Sequence, residues 1–274
     1  MDINTIRHIE RPRSADDVTL WRDGLAWLSG GTWLFSEPQP ALDTLIDLRA
    51  FDWPALTITE DGLDIAATAR IAELDALEYP AAWTAGPLFP LCCRALLMSF
   101  KIAHEASVGG NICMSLPAGA MISLTTALEG IYTLQPRDAA PRQVAAIDFV
   151  TGNRANVLAP GELLRSIHLP AAALTRRFAF RRSSLTHLGR SAALLIGTSG
   201  PDGDLLLTIT ASTFRPVQLG FPKAPSAADV RRAIDAAIPQ GGYFDDVNGL
   251  PAYRRHLTYH FAEQIRAELA GGAA

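Results

Sequence analysis

The sequence predicts an α+β protein of two or three subdomains, on three observations. At 274 residues the chain is longer than a single hydrophobic core usually organises, and it can bury roughly 75% of its unfolded surface. Short strand-like runs bounded by glycine or proline fill much of its length, and helical periodicity closes it. Two glycine pairs, Ser29-Gly30-Gly31-Thr32 and Ser107-Val108-Gly109-Gly110-Asn111, each follow an apolar run.

Taken in order, Ser14 with Asp17 reads as a helix N-cap and its acidic N3 residue, predicting a short helix over 15–22 that stops at Gly24. Leu25-Ala26-Trp27-Leu28 is a strand delivering the chain into the first glycine pair, and Thr44-Leu45-Ile46-Asp47-Leu48 closes a β-α-β unit. Alternation on either side of Glu60-Asp61-Gly62 predicts a β-hairpin over 56–66. Residues 71–100 suit helices, with Pro80, Pro87 and Pro90 as breaks, and the apolar segment 95–102 leads toward the second glycine pair. Strands resume at 131–134 and again after the Pro160-Gly161 turn, ending at Pro170. Beyond it come a strand at 205–210, a helix over 227–238 capped by Ser226, and a helix over 252–269. Leu257, Phe261, Ile265 and Leu269 give that last helix one apolar stripe. Subdomain boundaries are expected near residues 54 and 170, dividing the chain into 1–54, 55–170 and 171–274.

Composition excludes several classes of function. A formal net charge of −4 and scattered Arg pairs provide no basic field for nucleic acid. No apolar stretch approaches the roughly 18 residues that span a bilayer, and the N-terminus lacks a signal-peptide pattern, so a cytoplasmic location without membrane attachment is expected. Cys92, Cys93 and Cys113 are odd in number and have no CxxC spacing. They read as reduced core thiols and cannot supply the four thiolates of an iron–sulfur cluster. His256 and His260 stand at i, i+4 spacing without an acidic residue between them or an evident third ligand, so no metal site is assigned. Ser183, Ser184 and Ser191 lack a nucleophile elbow, and no catalytic residue is assigned.

The glycine pairs carry the functional reading. A glycine pair lets backbone N–H groups turn toward one point and lets a ligand approach without a Cβ in the way; singly, each is more often a plain turn. Two such loops meeting in space would grip a pyrophosphate.

These loops occur in a fixed order with Leu45-Ile46-Asp47-Leu48-Arg49, the Asp61-Gly62 hairpin, Asp148-Phe149 and Pro160-Gly161-Glu162-Leu163-Leu164. In that order the chain resembles the FAD-binding medium subunits of the molybdenum hydroxylases, the group of xanthine dehydrogenase and carbon monoxide dehydrogenase. The tail Pro251-Ala252-Tyr253-Arg254-Arg255-His256-Leu257 resembles the Tyr-Arg helix of that family's C-terminal domain. The resemblance implies an α+β fold: a two-subdomain FAD-binding domain of the vanillyl-alcohol-oxidase-like (PCMH) type, followed by a C-terminal domain of antiparallel strands and helices. It implies FAD held at the pyrophosphate by Ser29, Gly30, Gly31 and Thr32, with Trp33 beside them, and by Ser107, Val108, Gly109, Gly110 and Asn111. Leu164 would pack on the cofactor, and Arg181 or Arg182 would stand near the flavin. The implied partners are a large subunit carrying the molybdenum cofactor, a small subunit carrying two-iron two-sulfur clusters, and an external electron acceptor.

Two departures bear on that carry-over. The family's Gly-Gly-Thr-Asp becomes Gly-Gly-Thr-Trp33, and its Ser-Pro-Ala-Gly-Asp becomes Ser115-Leu116-Pro117-Ala118-Gly119-Ala120. Loss of the carboxylate at Ala120 would cost about 1–3 kcal/mol of cofactor binding, and Trp33 either stacks on the cofactor or packs beside the loop. They motivate the alternative of a flavin-free structural subunit; a stand-alone flavoprotein oxidase is a third reading.

Overall fold

The computed structural model describes residues 4–18, 20–187 and 189–271. Its first sheet is wholly parallel and has the order β1-β3-β2, with β1 His8–Glu10, β2 Leu25–Leu28 and β3 Thr44–Asp47. The predicted crossover between β2 and β3 is present as chain direction but not as a helix. Residues 32–36 form turns, with Phe35 N–H donating to the Gly31 carbonyl at 2.8 Å, and Pro38 and Pro40 forbid helical continuation. The helix expected over 15–22 shrinks to a 3-10 turn, Ala15–Asp17, although the Ser14 N–H does donate to Asp17 Oδ2 at 2.9 Å. Tertiary contacts override the local signal: Val18 is buried, its carbonyl accepts from Arg137, and the Trp21 ring lies 5.0 Å from that of Trp27.

The second sheet is antiparallel. Its hairpin β4 Leu56–Thr59 and β5 Gly62–Ala66 forms as the alternation predicts. Then come the short helices α1 Ile71–Asp75, α2 Leu88–Ala95, α3 Phe100–Ala103, α4 Val108–Cys113 and α5 Ala120–Ala127. Pro90 is not a break, because it sits in the first turn of α2, where no intrahelical N–H bond is lost. Helix α5 is buried at every position; Thr125 Oγ1 bonds the Met121 carbonyl and Tyr132 Oη, which lets a polar side chain sit there. After it follow β6 Ile131–Gln135, β7 Arg142–Ala145, α6 Ala146–Phe149, the hairpin β8 Val150–Gly152 with β9 Ala155–Asn156, and β10 Leu163–Pro170. Strand β10 inserts between β5 and β6, giving the order β4-β5-β10-β6-β7.

A third sheet follows the short helix α7 Ala171–Leu174. It is an antiparallel meander of β11 Arg177–Ser184, β12 Ser191–Ser199, β13 Leu205–Thr210 and β14 Val217–Phe221, covered by α8 Ala227–Ala237 and α9 Pro251–Gly271. All four residues of the predicted stripe on α9 are buried, and the helix comes so close to β12 that a Cβ on Gly197 would lie 2.3 Å from Ile265. Every residue of β12 is buried, because one hydrophobic core packs under α8 and α9 while Leu194 and Ile196 join the core of the second sheet. Arg254, at the start of α9, is 1% exposed yet satisfied: it donates to the carbonyls of Gly249, Ala192 and Ala211 and pairs with Asp246. No helix among the described residues is long and apolar enough to cross a membrane.

Candidate functional site

The two glycine loops meet. A Cβ placed on Gly30 would lie 1.7 Å from the carbonyl oxygen of Glu105, just ahead of the second loop, so the first loop's backbone is pressed directly against the second segment. A Cβ on Gly109 would lie 2.5–2.7 Å from Ala67, which explains a glycine there as a close approach to the chain after β5. Gly31 adopts φ +69°. Both loops open on one cleft of about 550 Å³, a size suited to a cofactor or drug-sized ligand.

The loops divide the work unequally. In the second loop the four amides from Val108 to Asn111 are already engaged: Val108 N–H donates to the Ala69 carbonyl (2.8 Å), Gly109 to that of Ala67 (2.9 Å), Gly110 to Ser107 Oγ (3.1 Å) and Asn111 to the Ser107 carbonyl (3.1 Å). Ser107 is the N-cap of α4, and Asn111 Oδ1 accepts from Met121 N–H at the start of α5. In the first loop the amides of Gly30, Gly31, Thr32, Trp33 and Leu34 donate to no acceptor among the described residues. The Ser29 hydroxyl is buried there without a hydrogen-bond partner. Consecutive unsatisfied N–H groups form an anion-binding concavity, and a buried orphan hydroxyl costs about 1–3 kcal/mol unless a ligand completes it. The second loop is therefore a rigid floor with an open face at Gly110, where a Cβ would meet only Ser107 Oγ, while the first carries the N–H groups without acceptors among the described residues.

The other walls come from distant segments. A β-bulge in β10 between Leu164 and Ser166 re-aims the strand at the cleft; Leu164 lines the cleft, and Arg165 stacks its guanidinium 3.9 Å from the Trp53 ring. The turn before β10 is held twice over. Trp27 Nε1 donates to the Gly161 carbonyl (3.2 Å), and Glu162 accepts from Arg142 (2.7 and 2.8 Å) and from Ala159 N–H (2.9 Å). The Arg142 hydrogen bonds hold the Glu162 carboxyl below its usual range, so this carboxylate, the one that lines the cleft among the described residues, is already paired. Leu96, Leu97, Met98 and Ile102 form an apolar rim, and burial pushes the Cys113 thiol up to about 12, leaving it protonated.

Of the residues the sequence singles out, Ser29 to Trp33, Ser107, Gly109, Gly110, Asn111 and Leu164 line this cleft, and Val108 is buried beneath it. Arg181 does not line it: its guanidinium bonds Gln264 (2.9 Å) and Glu268 (2.5 Å) on α9. Arg182 points elsewhere as well, bonding Ser191 Oγ (2.8 Å) and the Gly189 carbonyl. Those two bonds bracket Arg190, the one cationic side chain that lines the cleft among the described residues. The sequence gives no sign of Arg190, and it presents the apolar segment 95–102 only as the approach to the second glycine pair, not as the rim of the cleft. His256 and His260 stack ring on ring at 6.0 Å, and among the described residues no group of three His, Cys, Asp or Glu side chains could hold a metal ion.

Residues 8–172 match the family model described as the FAD binding domain in molybdopterin dehydrogenase. The chain belongs to that family. Its members are domains of oxidoreductases, and the cleft by its own chemistry fits their cofactor, since amides without acceptors among the described residues, an orphan hydroxyl and a face with no Cβ suit a diphosphate. Xanthine dehydrogenase of Oryza sativa subsp. japonica is 31% identical over 131 residues, which is 46% of this chain. The chain covers 9% of that relative's length. Quinoline 2-oxidoreductase from Pseudomonas putida 86 contains a chain of the same fold, with a TM-score of 0.79, 17% identity, and coverage of 100% of this chain and 99% of that one. Carbon monoxide dehydrogenase from Hydrogenophaga pseudoflava, in a form lacking the Mo-pyranopterin moiety of its molybdenum cofactor, contains another. Its TM-score is 0.81 at 17% identity, with coverage of 98% and 99%. The α+β architecture of this FAD-binding family, with its two-part flavin domain and an antiparallel C-terminal sheet, is thus the fold of the whole chain.

Proposed function

We propose that the chain is the FAD-binding electron-transfer subunit of a molybdenum-containing hydroxylase or dehydrogenase. It would work in the cytoplasm between a small iron–sulfur subunit, fed by a large molybdenum-cofactor subunit, and an external electron acceptor. Residues 1–54 and 55–170 would form the two flavin subdomains and 171–274 the C-terminal domain. The observation that carries this reading is the unpaired amide run from Gly30 to Leu34 beside the orphan Ser29 hydroxyl, in a chain of the FAD-binding family. The diphosphate would rest on those amides, with Ser29 and Thr32 hydroxyls as further donors and Gly110 leaving room opposite. Leu164 and the apolar rim would exclude water from the remainder of the cofactor, and Arg190 would provide the one cationic side chain that lines the cleft among the described residues. When bound, FAD supplies the electron exchange; no residue of this chain is required as an acid or base toward the oxidised substrate.

Against the flavin-free alternative, the Met121 N–H beside the fully buried Ala120 is capped by Asn111 Oδ1, so that amide does not depend on the missing carboxylate. Purification with its natural neighbours, followed by flavin, iron and molybdenum analysis, tests the reading. One flavin per chain with iron and molybdenum in the co-purifying subunits is expected; a colourless chain that takes up no added FAD would overturn it.

A further inference from the structure

Behind Trp33 lies a second cavity of about 400 Å³ that shares Trp33, Leu116, Ala118 and Arg190 with the cleft. Backbone hydrogen bonds preform its walls. Arg154 N–H donates to the Ser115 carbonyl (2.9 Å), Ala211 N–H to that of Pro117 (2.8 Å) and Phe244 N–H to that of Ser212 (2.9 Å), so the β8–β9 turn, the α4–α5 turn and the C-terminal domain are bolted together around it. Ser115, Arg154 and Ala211, three of the five non-glycine residues at positive φ among the described residues, stand at this junction, and such strain gathers where a site must be held in one shape.

Among the described residues its charges are paired with one exception. Arg154 bonds Glu37 (3.2 Å) while its guanidinium lies 4.8 Å from the Trp33 ring centre, and Asp246 is consumed by Arg254 and Asn248. That leaves Arg190, whose loop is clamped on both sides by Arg182. Trp33 and Phe244 add aromatic surface, and Asn153 and Asn248 add amides.

We propose that this cavity binds a small planar anion, an aromatic carboxylate in its simplest form, with its ring on the aromatic wall and its carboxylate on Arg190. Arg190 and Trp33 also line the cofactor cleft, so on the FAD reading given above the two ligands are coupled: each weakens the other by the same factor, because one guanidinium serves both.

The test is calorimetric titration of the chain with 2-naphthoate, with naphthalene-2-methanol as the neutral control, in the absence and presence of FAD. The carboxylate is expected to bind the FAD-free chain at least tenfold more tightly than the alcohol. Arg190→Gln should remove that preference and Arg190→Lys should restore part of it. Asn153→Trp, which fills only this cavity, should abolish binding; Gly110→Val, which fills only the cleft, should leave it intact. Absence of binding, equal binding of acid and alcohol, or loss of binding in Gly110→Val but not in Asn153→Trp would overturn the proposal. A chain that binds naphthoate but no FAD would contradict the cofactor reading alone.

Discussion

Gly30→Ala tests the meeting of the loops most severely. The new methyl carbon would sit 1.7 Å from the Glu105 carbonyl oxygen and 3.1 Å from Ala106 Cα, and neither is the movable end of a side chain. Contact between such atoms normally begins beyond about 3 Å, so the loops must part by more than 1 Å or the first loop must rotate. Overpacking of this kind costs roughly 1–3 kcal/mol of stability. The larger effect falls on the ligand, because the five free amides move as a unit. Loss of two charge-assisted amide–phosphate bonds, at about 1.5–3 kcal/mol each, gives 3–6 kcal/mol, or roughly a hundredfold to ten-thousandfold weaker FAD binding. Flavin content after gel filtration, with a fluorescence titration of the apo chain, measures it. Full flavin content with unchanged affinity in Gly30→Ala would refute the packing of the two loops as the basis of binding.

Three further outcomes follow from the same geometry. Ser29→Ala should leave the melting temperature of the FAD-free chain unchanged or slightly raised, since its hydroxyl is an unsatisfied buried group, while FAD affinity falls about tenfold; a lowered melting temperature without FAD would contradict it. Gly110→Val should empty the cleft of FAD with far-UV circular dichroism near native, because a side chain there meets only Ser107 Oγ before entering ligand space. For Glu162 the folded-state carboxyl is shifted down, so its contribution is complete above the unfolded value of about 4.3 and is lost as pH falls through the lower folded value. Denaturant titrations from pH 6 to pH 3 should show a smaller loss of stability in Glu162→Gln than in the parent, and parallel losses would remove that assignment.

The legible parts of the fold were those written in local period. The hairpin β4–β5, strand β13, and helices α8 and α9 with the buried stripe follow from alternation, capping and fourfold spacing alone. The reduction of the expected helix over 15–22 to a 3-10 turn was not legible, because Val18 and Trp21 are captured by Arg137 and Trp27 through contacts that no local signal carries. The convergence of the glycine loops could be read from their order, but their unequal roles could not, since the acceptors that occupy the Val108 and Gly109 amides are carbonyls of Ala69 and Ala67, about forty residues earlier. Arg190 was hidden for a similar reason. Among the arginines of β11 and its loop only tertiary packing decides which faces the cleft, and α9 takes Arg181 away through Gln264 and Glu268.

The most direct measurement is an amide-resolved NMR titration of the FAD-free chain with FAD. The N–H resonances of Gly30, Gly31, Thr32, Trp33 and Leu34 are expected to move downfield as they acquire phosphate acceptors, while those of Val108 and Gly109 keep their existing bonds and stay protected from exchange before and after. Large downfield shifts confined to the second loop, with the first loop unmoved, would contradict the account.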